Sequence, residues 1–191
     1  MNKYKNDSLS DSQLVVLVLA GNDEMYALIV ERYENKLLRY AMYLLKDYDI
    51  ASDVTQEAFI KAYVNLRSFK LNKQFSSWIY RILHNEAINS IRRGKKTCAL
   101  EAVNEVDNDF LVKFTYNEVI DRRILKADIR KCLGQINLKY QEVLVLNFFD
   151  NLKYEEISDI LHIPSSTVGV RIKRGKALLQ KVCRSNGVNY E

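Results

Sequence analysis

Only one proline, Pro164, and six glycines interrupt a chain of 191 residues, far below the usual ~5% and ~7% for these two residue types. A chain with so few turn-formers and breakers most readily makes long uninterrupted helices. An all-α fold is therefore expected. With 48% hydrophobic residues the chain can fill the cores of one modest domain or two small ones. Its longest apolar run, Leu14 to Ala20, has seven residues, short of the ~18 of a membrane span. It lacks a basic flank and a cleavage-like site, so it reads as a short buried helix rather than a signal peptide. A partner contact through Val16 and Leu19 is the alternative. Cys98, Cys132 and Cys183 are spaced too widely for a metal cluster or a disulfide framework, which suits a reducing, cytoplasmic compartment.

The net charge of +5 is spread unevenly. Residues 1–93 carry 13 basic and 11 acidic side chains, residues 94–120 carry 3 and 5, and residues 121–191 carry 13 and 8. The middle segment has weak helical periodicity and reads as an acidic, flexible linker between two small helical domains. After Pro164 there are six basic residues and one acidic residue, so this stretch alone matches the net charge of the whole chain.

Periodicity places the helices. Met25, Ile29, Tyr33, Leu37, Ala41 and Leu44 recur every three or four residues and predict one long helix ending near Lys46. A second is expected from about Ile50 to Leu66, with Asp49 as N-cap, and a third from Ser76 to Arg92 with a basic end. Further helices are expected at about Val119 to Leu133, Leu138 to Phe149 and Tyr154 to Leu161. After the turn His162-Ile163-Pro164 comes a last helix from Ser165 to about Arg184. Two helices joined by so short a turn form a helix-turn-helix. In the last helix Val168, Ile172 and Leu179 share the side that would pack on Ile157, Ile160 and Leu161. The other side presents Ser166, Gly169, Val170, Lys173 and Arg174. A major groove admits such a helix, and its cations supply phosphate affinity. A solvated basic surface is the plainer account of the same charges.

No catalytic pattern is present. The stretch Gly169 to Lys176 has the wrong length for a phosphate loop and lacks its hydroxyl residue, and there is no zinc-protease histidine pair, nucleophile elbow or dinucleotide fingerprint. His84 and His162 read as ordinary surface or cap residues. No catalytic residue, metal site or cofactor is expected.

Three stretches, Asp49 to Tyr63, Phe75 to Asn85 leading to Arg92-Arg93, and Tyr154 to Leu161 followed by Thr167 to Arg174, together resemble the extracytoplasmic-function (ECF) sigma factors of bacterial RNA polymerase. The resemblance implies a region 2-like domain over residues 1–93, the linker over 94–120, and a region 4-like helix-turn-helix domain over 121–191. It implies core RNA polymerase and promoter DNA as partners and leaves room for an anti-sigma factor, with no insertion into a membrane. By resemblance, Asp53, Gln56, Glu57 and Lys61 would meet the clamp of the largest polymerase subunit. Lys70, Asn72, Lys73, Arg81, Asn85, Arg92 and Arg93 would hold the minus-10 element, whose unstacked base the loop Ser68 to Gln74 would capture. Phe75 and Trp78 are read as core. Ser165, Ser166, Thr167, Gly169, Val170, Arg171, Lys173, Arg174 and Lys176 would face the minus-35 element. Gly169 and Val170 stand where many members carry a basic residue followed by Ser, which moves the expected base readout toward Ser165, Ser166, Lys173 and Arg174. A stand-alone helix-turn-helix regulator binding paired half-sites as a dimer, and a helical adaptor using its acidic face, are the other two readings.

Overall fold

The computed structural model describes residues 9–97, 129 and 131–187. Its elements in chain order are α1 (Asp11–Leu19), α2 (Glu24–Leu45), α3 (Tyr48–Val64), a 3-10 turn (Leu66–Ser68), α4 (Phe75–Thr97), α5 (Leu138–Leu144) continued by a π turn (Val145–Phe149), α6 (Tyr154–Leu161) and α7 (Ser165–Ser185). There is no strand among the described residues. The expected helix Val119 to Leu133, apart from its end, and most of the expected linker lie outside the described residues.

Helix starts follow local capping chemistry. Ser10 opens α1 with a capping box: its Oγ accepts from the Gln13 backbone N–H while the Gln13 side chain accepts from the Ser10 N–H. The α1 run is two-faced, with Leu14, Val15 and Val18 buried and Val16 and Leu19 exposed. Asp11 ties α1 to α2 by accepting from Arg32 and from the Tyr33 hydroxyl. Helix α3 starts two residues before the expected position. Lys46 ends α2 in the left-handed region, so the chain is already extended at Asp47, whose carboxylate caps the Ile50 N–H in place of Asp49. The fully buried Ile29, Leu37, Tyr40, Ile79, Tyr80 and Leu83 show that α2 and α4 supply most of the first core. Helix α4 also continues past Arg92 to Thr97.

In the second half, the expected helix Leu138 to Phe149 changes pitch part-way. Asn137 caps α5, and from Val145 the chain widens into a π turn that ends with the Asp150 N–H bonded to the Val145 carbonyl. The widening sets neighbours on opposite sides. Phe148 is exposed beneath Lys176, whose ammonium lies 4.5 Å from its ring centre, whereas the Phe149 ring lies 5.7 Å from that of Tyr43 in α2. His162 closes α6 in the left-handed region (φ 52°), and Pro164 leads into α7. Gly175 lets α7 approach α5 closely, since a Cβ there would sit 3.1 Å from the Leu144 side chain.

The two halves are packed together. Helix α6 lies along α4, and α5 with its π turn touches α2, so the buried apolar residues form one cluster from Leu14 to Ile172. A polar contact is set into this junction: the Asp150 carboxylate, which has no solvent exposure, is paired with the Arg39 guanidinium.

Candidate nucleic-acid interface

Three surfaces gather the charged and aromatic residues singled out by sequence. The first is on α3, where the buried Val54, Ala58 and Ala62 fix which side faces out. Asp53, Gln56 and Glu57 are exposed there. Lys61 is already engaged within the chain, 3.4 Å from the Glu57 carboxylate and 2.7 Å from that of Glu86 on α4.

The second surface joins the 3-10 turn, its following loop and the start of α4. Phe69 and Phe75 are buried, and with Trp78 they form an aromatic cluster with ring centres 5.3 to 5.6 Å apart. Trp78 is only partly buried, because it borders a cleft of about 330 Å³ lined also by Lys70, Lys73, Ser77 and Arg81. The structure thus separates two aromatics that helical spacing alone places alike in the core: Phe75 is interior, and Trp78 forms part of a cationic cleft. Asn72 and Asn85 are exposed but are not among the residues that line it. Arg92 and Arg93 lie further along α4, bordering a shallow depression with Lys61, Glu86 and Asn89.

The third surface is α7. Val168 and Ile172 are buried against the second core, while Ser165, Ser166, Val170, Lys173, Arg174 and Lys176 are exposed. Thr167 and Gly169 are half-buried, with the Tyr154 ring 3.5 Å from where a Cβ of residue 169 would sit. Arg171 turns inward, its guanidinium 3.1 Å from the Glu142 carboxylate.

The sequence comparisons agree across both halves. The profile of Sigma-70 region 2 matches residues 29–97, and that of Sigma-70 region 4 matches residues 126–179. The ECF RNA polymerase sigma factor SigW of Bacillus subtilis is 34% identical over 177 residues, covering 87% of this chain and 93% of the relative. The ECF RNA polymerase sigma-E factor of Escherichia coli is 31% identical, with 90% and 93% covered. The chain belongs to the sigma-70 family, as an ECF sigma factor. Its fold is shared with CnrH, solved in complex with the cytosolic domain of CnrY, at TM-score 0.68 and 20% identity over 92% of this chain and 97% of that one. It is also shared with the sigma factor RpoE of Bartonella quintana, solved with the anti-sigma factor NepR, at TM-score 0.66 and 20% identity over 83% and 96%.

Two sets of residues in this sigma factor escaped the sequence reading. Ile60 and Val64 are 58% and 72% exposed, and with Asp53 and Glu57 they fall at i, i+4, i+7 and i+11 along one face of α3. The signal was the continuation of a polar stripe by two apolar residues. His84, expected at a surface or cap, is largely buried with its Nδ1 3.0 Å from the Tyr40 hydroxyl. Its place at the junction of the halves could not be read from local pattern.

Burial moves two titrating groups in opposite directions. It lowers the His84 pKa from 6.5 to about 4, with a smaller push from His162, and raises that of Glu142 from 4.5 to about 7 against the pull of Arg171. Acidification from pH 6.5 to 4 protonates His84 in the unfolded chain first, so its contribution to stability is lost as pH falls. Glu142 keeps its proton in the folded chain after the unfolded chain has released it, so stability is lost as pH rises from 4.5 to about 7. Each swing is on the order of 3 kcal/mol, and in the wild type the two oppose each other. Relative to wild type, the stability of Glu142→Gln should therefore rise with pH across that window, and that of His84→Asn should fall. Urea unfolding at stepped pH checks both, and parallel profiles in all three proteins would remove this account.

Proposed function

We propose that this sigma factor joins core RNA polymerase through the exposed face of α3, captures the minus-10 element with the cleft around Trp78 and the basic edge of α4, and reads the minus-35 element with α7. Asp53, Gln56 and Glu57 orient the polymerase contact through charge, with Ile60 and Val64 as apolar anchors beside them. Lys61, already paired inside the chain, tunes that face. Lys70, Lys73 and Arg81 follow the strand backbone while Trp78 offers a stacking edge. On α7, Ser165, Ser166, Lys173 and Arg174 carry the groove contacts and Arg171 braces the helix through Glu142.

In this reading residues 1–93 and 121–191 are the two reading heads, and the part of residues 94–120 beyond the end of α4 at Thr97 tethers them. A linker of about 25 residues reaches roughly 80 Å when extended, beyond two DNA turns of about 34 Å each. The protein acts in the cytoplasm and contributes no active site of its own, the chemistry belonging to the polymerase.

The observation that carries the proposal is the division of α7 into a buried Val168 and Ile172 side and an exposed Lys173 and Arg174 side, within a chain that also bears the charged α3 face. Transcription with purified core polymerase tests it. Promoter-dependent transcripts that require the protein are expected. Their absence, together with tight binding of a palindromic duplex by the protein alone, would return it to the stand-alone regulators.

A further inference from the structure

Helix α7 contains two glycines, and the fold accounts for one of them. A Cβ at Gly175 would sit 3.1 Å from the Leu144 side chain, so the close packing of α7 on α5 explains that residue. Gly169 has no such reason. Its φ is outside the left-handed region, and a Cβ there would meet only the Tyr154 ring, at an ordinary contact distance of 3.5 Å. Glycine is among the poorest helix formers, so alanine would suit the free protein better at this position. What glycine alone offers is a bare backbone that a ligand can approach closely.

The next residue points to the ligand. Val170 is 48% exposed and takes no part in the apolar core. It interrupts a polar stripe, with Ser166 one turn before it and Lys173 and Arg174 one turn after, all three exposed. The cations suit a polyanion better than an apolar protein face. Within a phosphate-walled major groove, the thymine 5-methyl group is the apolar feature on offer, and it is read by small apolar side chains.

We propose that α7 seats most deeply in the major groove at Gly169, whose missing side chain lets the helix backbone approach the base edges, and that Val170 selects a thymine in the minus-35 element through its 5-methyl group. This rests on the assignment of α7 to that element. Val170 thereby adds an apolar determinant to the polar contacts of Ser165, Ser166, Lys173 and Arg174.

The test uses the full chain with core RNA polymerase. A duplex library randomised upstream of the minus-10 element is selected with this holoenzyme, and the enriched duplex is then remade with each upstream thymine replaced in turn by deoxyuridine, which removes only the methyl group. At fixed salt, one replacement should weaken wild-type binding by about fourfold, the worth of one buried methyl group. Val170→Ala should weaken binding to the thymine duplex and show no further loss with deoxyuridine at that position. Val170→Ser should abolish the thymine preference there in a repeated selection. Gly169→Ala should raise the thermal midpoint by about 2–4 °C while weakening duplex binding at least threefold, opposite signs that a purely structural glycine would not produce. The proposal is overturned if no single thymine responds to loss of its methyl group, if the deoxyuridine effect survives in Val170→Ala, if Gly169→Ala leaves duplex affinity unchanged, or if Val170→Ala instead lowers affinity for core polymerase. Lys173→Ala with Arg174→Ala separates the two levels of the reading. Duplex binding that is indifferent to that pair removes α7 from the minus-35 element altogether, whereas binding that falls with the pair and ignores the methyl group sinks only the apolar readout.

Discussion

Changing Asp53 and Glu57 together to Lys is expected to weaken binding to core RNA polymerase by about a hundredfold or more, since like charges brought together across an interface cost several kcal/mol. Both side chains are exposed on α3, so the loss should come without unfolding. The pair between Glu57 and Lys61 is a surface contact at i, i+4 worth only about 0.3–0.5 kcal/mol, and Lys61 retains Glu86 at 2.7 Å when Glu57 is replaced. Thermal unfolding of the variant should therefore track the wild type while a fluorescence titration with core polymerase shows the loss. Unchanged polymerase affinity would refute the assignment of this face.

The second large effect is expected on α7. Lys173→Ala with Arg174→Ala should lower promoter-dependent transcription by about ten- to a hundredfold, from two contacts of roughly 1–3 kcal/mol each if either meets a base and less where only phosphate is touched. Polymerase binding should stay intact. Salt titration of duplex binding separates the two kinds of contact: each lost phosphate contact flattens the slope of log K against log salt by about one. Arg171 is left in place because its guanidinium braces Glu142, and replacing it would confuse a loss of contact with a loss of packing. A variant that loses polymerase affinity and keeps its DNA response would move the recognition function away from α7.

Local pattern was enough to place α2, α6 and α7, because their apolar spacing and the turn His162 to Pro164 are written in neighbouring residues. The exposed and buried sides of α7 follow from that same spacing. What local pattern could not supply is anything decided by residues distant in sequence. Asp47 rather than Asp49 caps α3 because Lys46 adopts a left-handed conformation at the end of the previous helix. Phe75 and Trp78 look equivalent on a helical wheel, yet Phe69 and Tyr33 enclose the first while the cleft opens the second. Arg171 and Lys61 read as free cations until Glu142 and Glu86, brought in from other helices, claim them. The contact of α6 with α4 joins residues about eighty positions apart, and the pair of Arg39 and Asp150 joins residues 111 apart; neither leaves a periodic trace.

The π turn at Val145 to Phe149 sets a limit on how this sequence can drift. It holds one residue more than an α-helical turn would close around, and that residue aims Phe148 at Lys176 while turning Phe149 and Asp150 toward α2. A deletion of a single codon there would leave a perfectly regular helix and would be invisible to any measure of helix propensity. It would also rotate everything downstream by about 100° about the helix axis, swinging the Asp150 carboxylate away from Arg39. Point substitutions in this stretch change what a side chain is; a change of length changes which way all of them look. Insertions and deletions should therefore be purged from these five positions more severely than substitutions are.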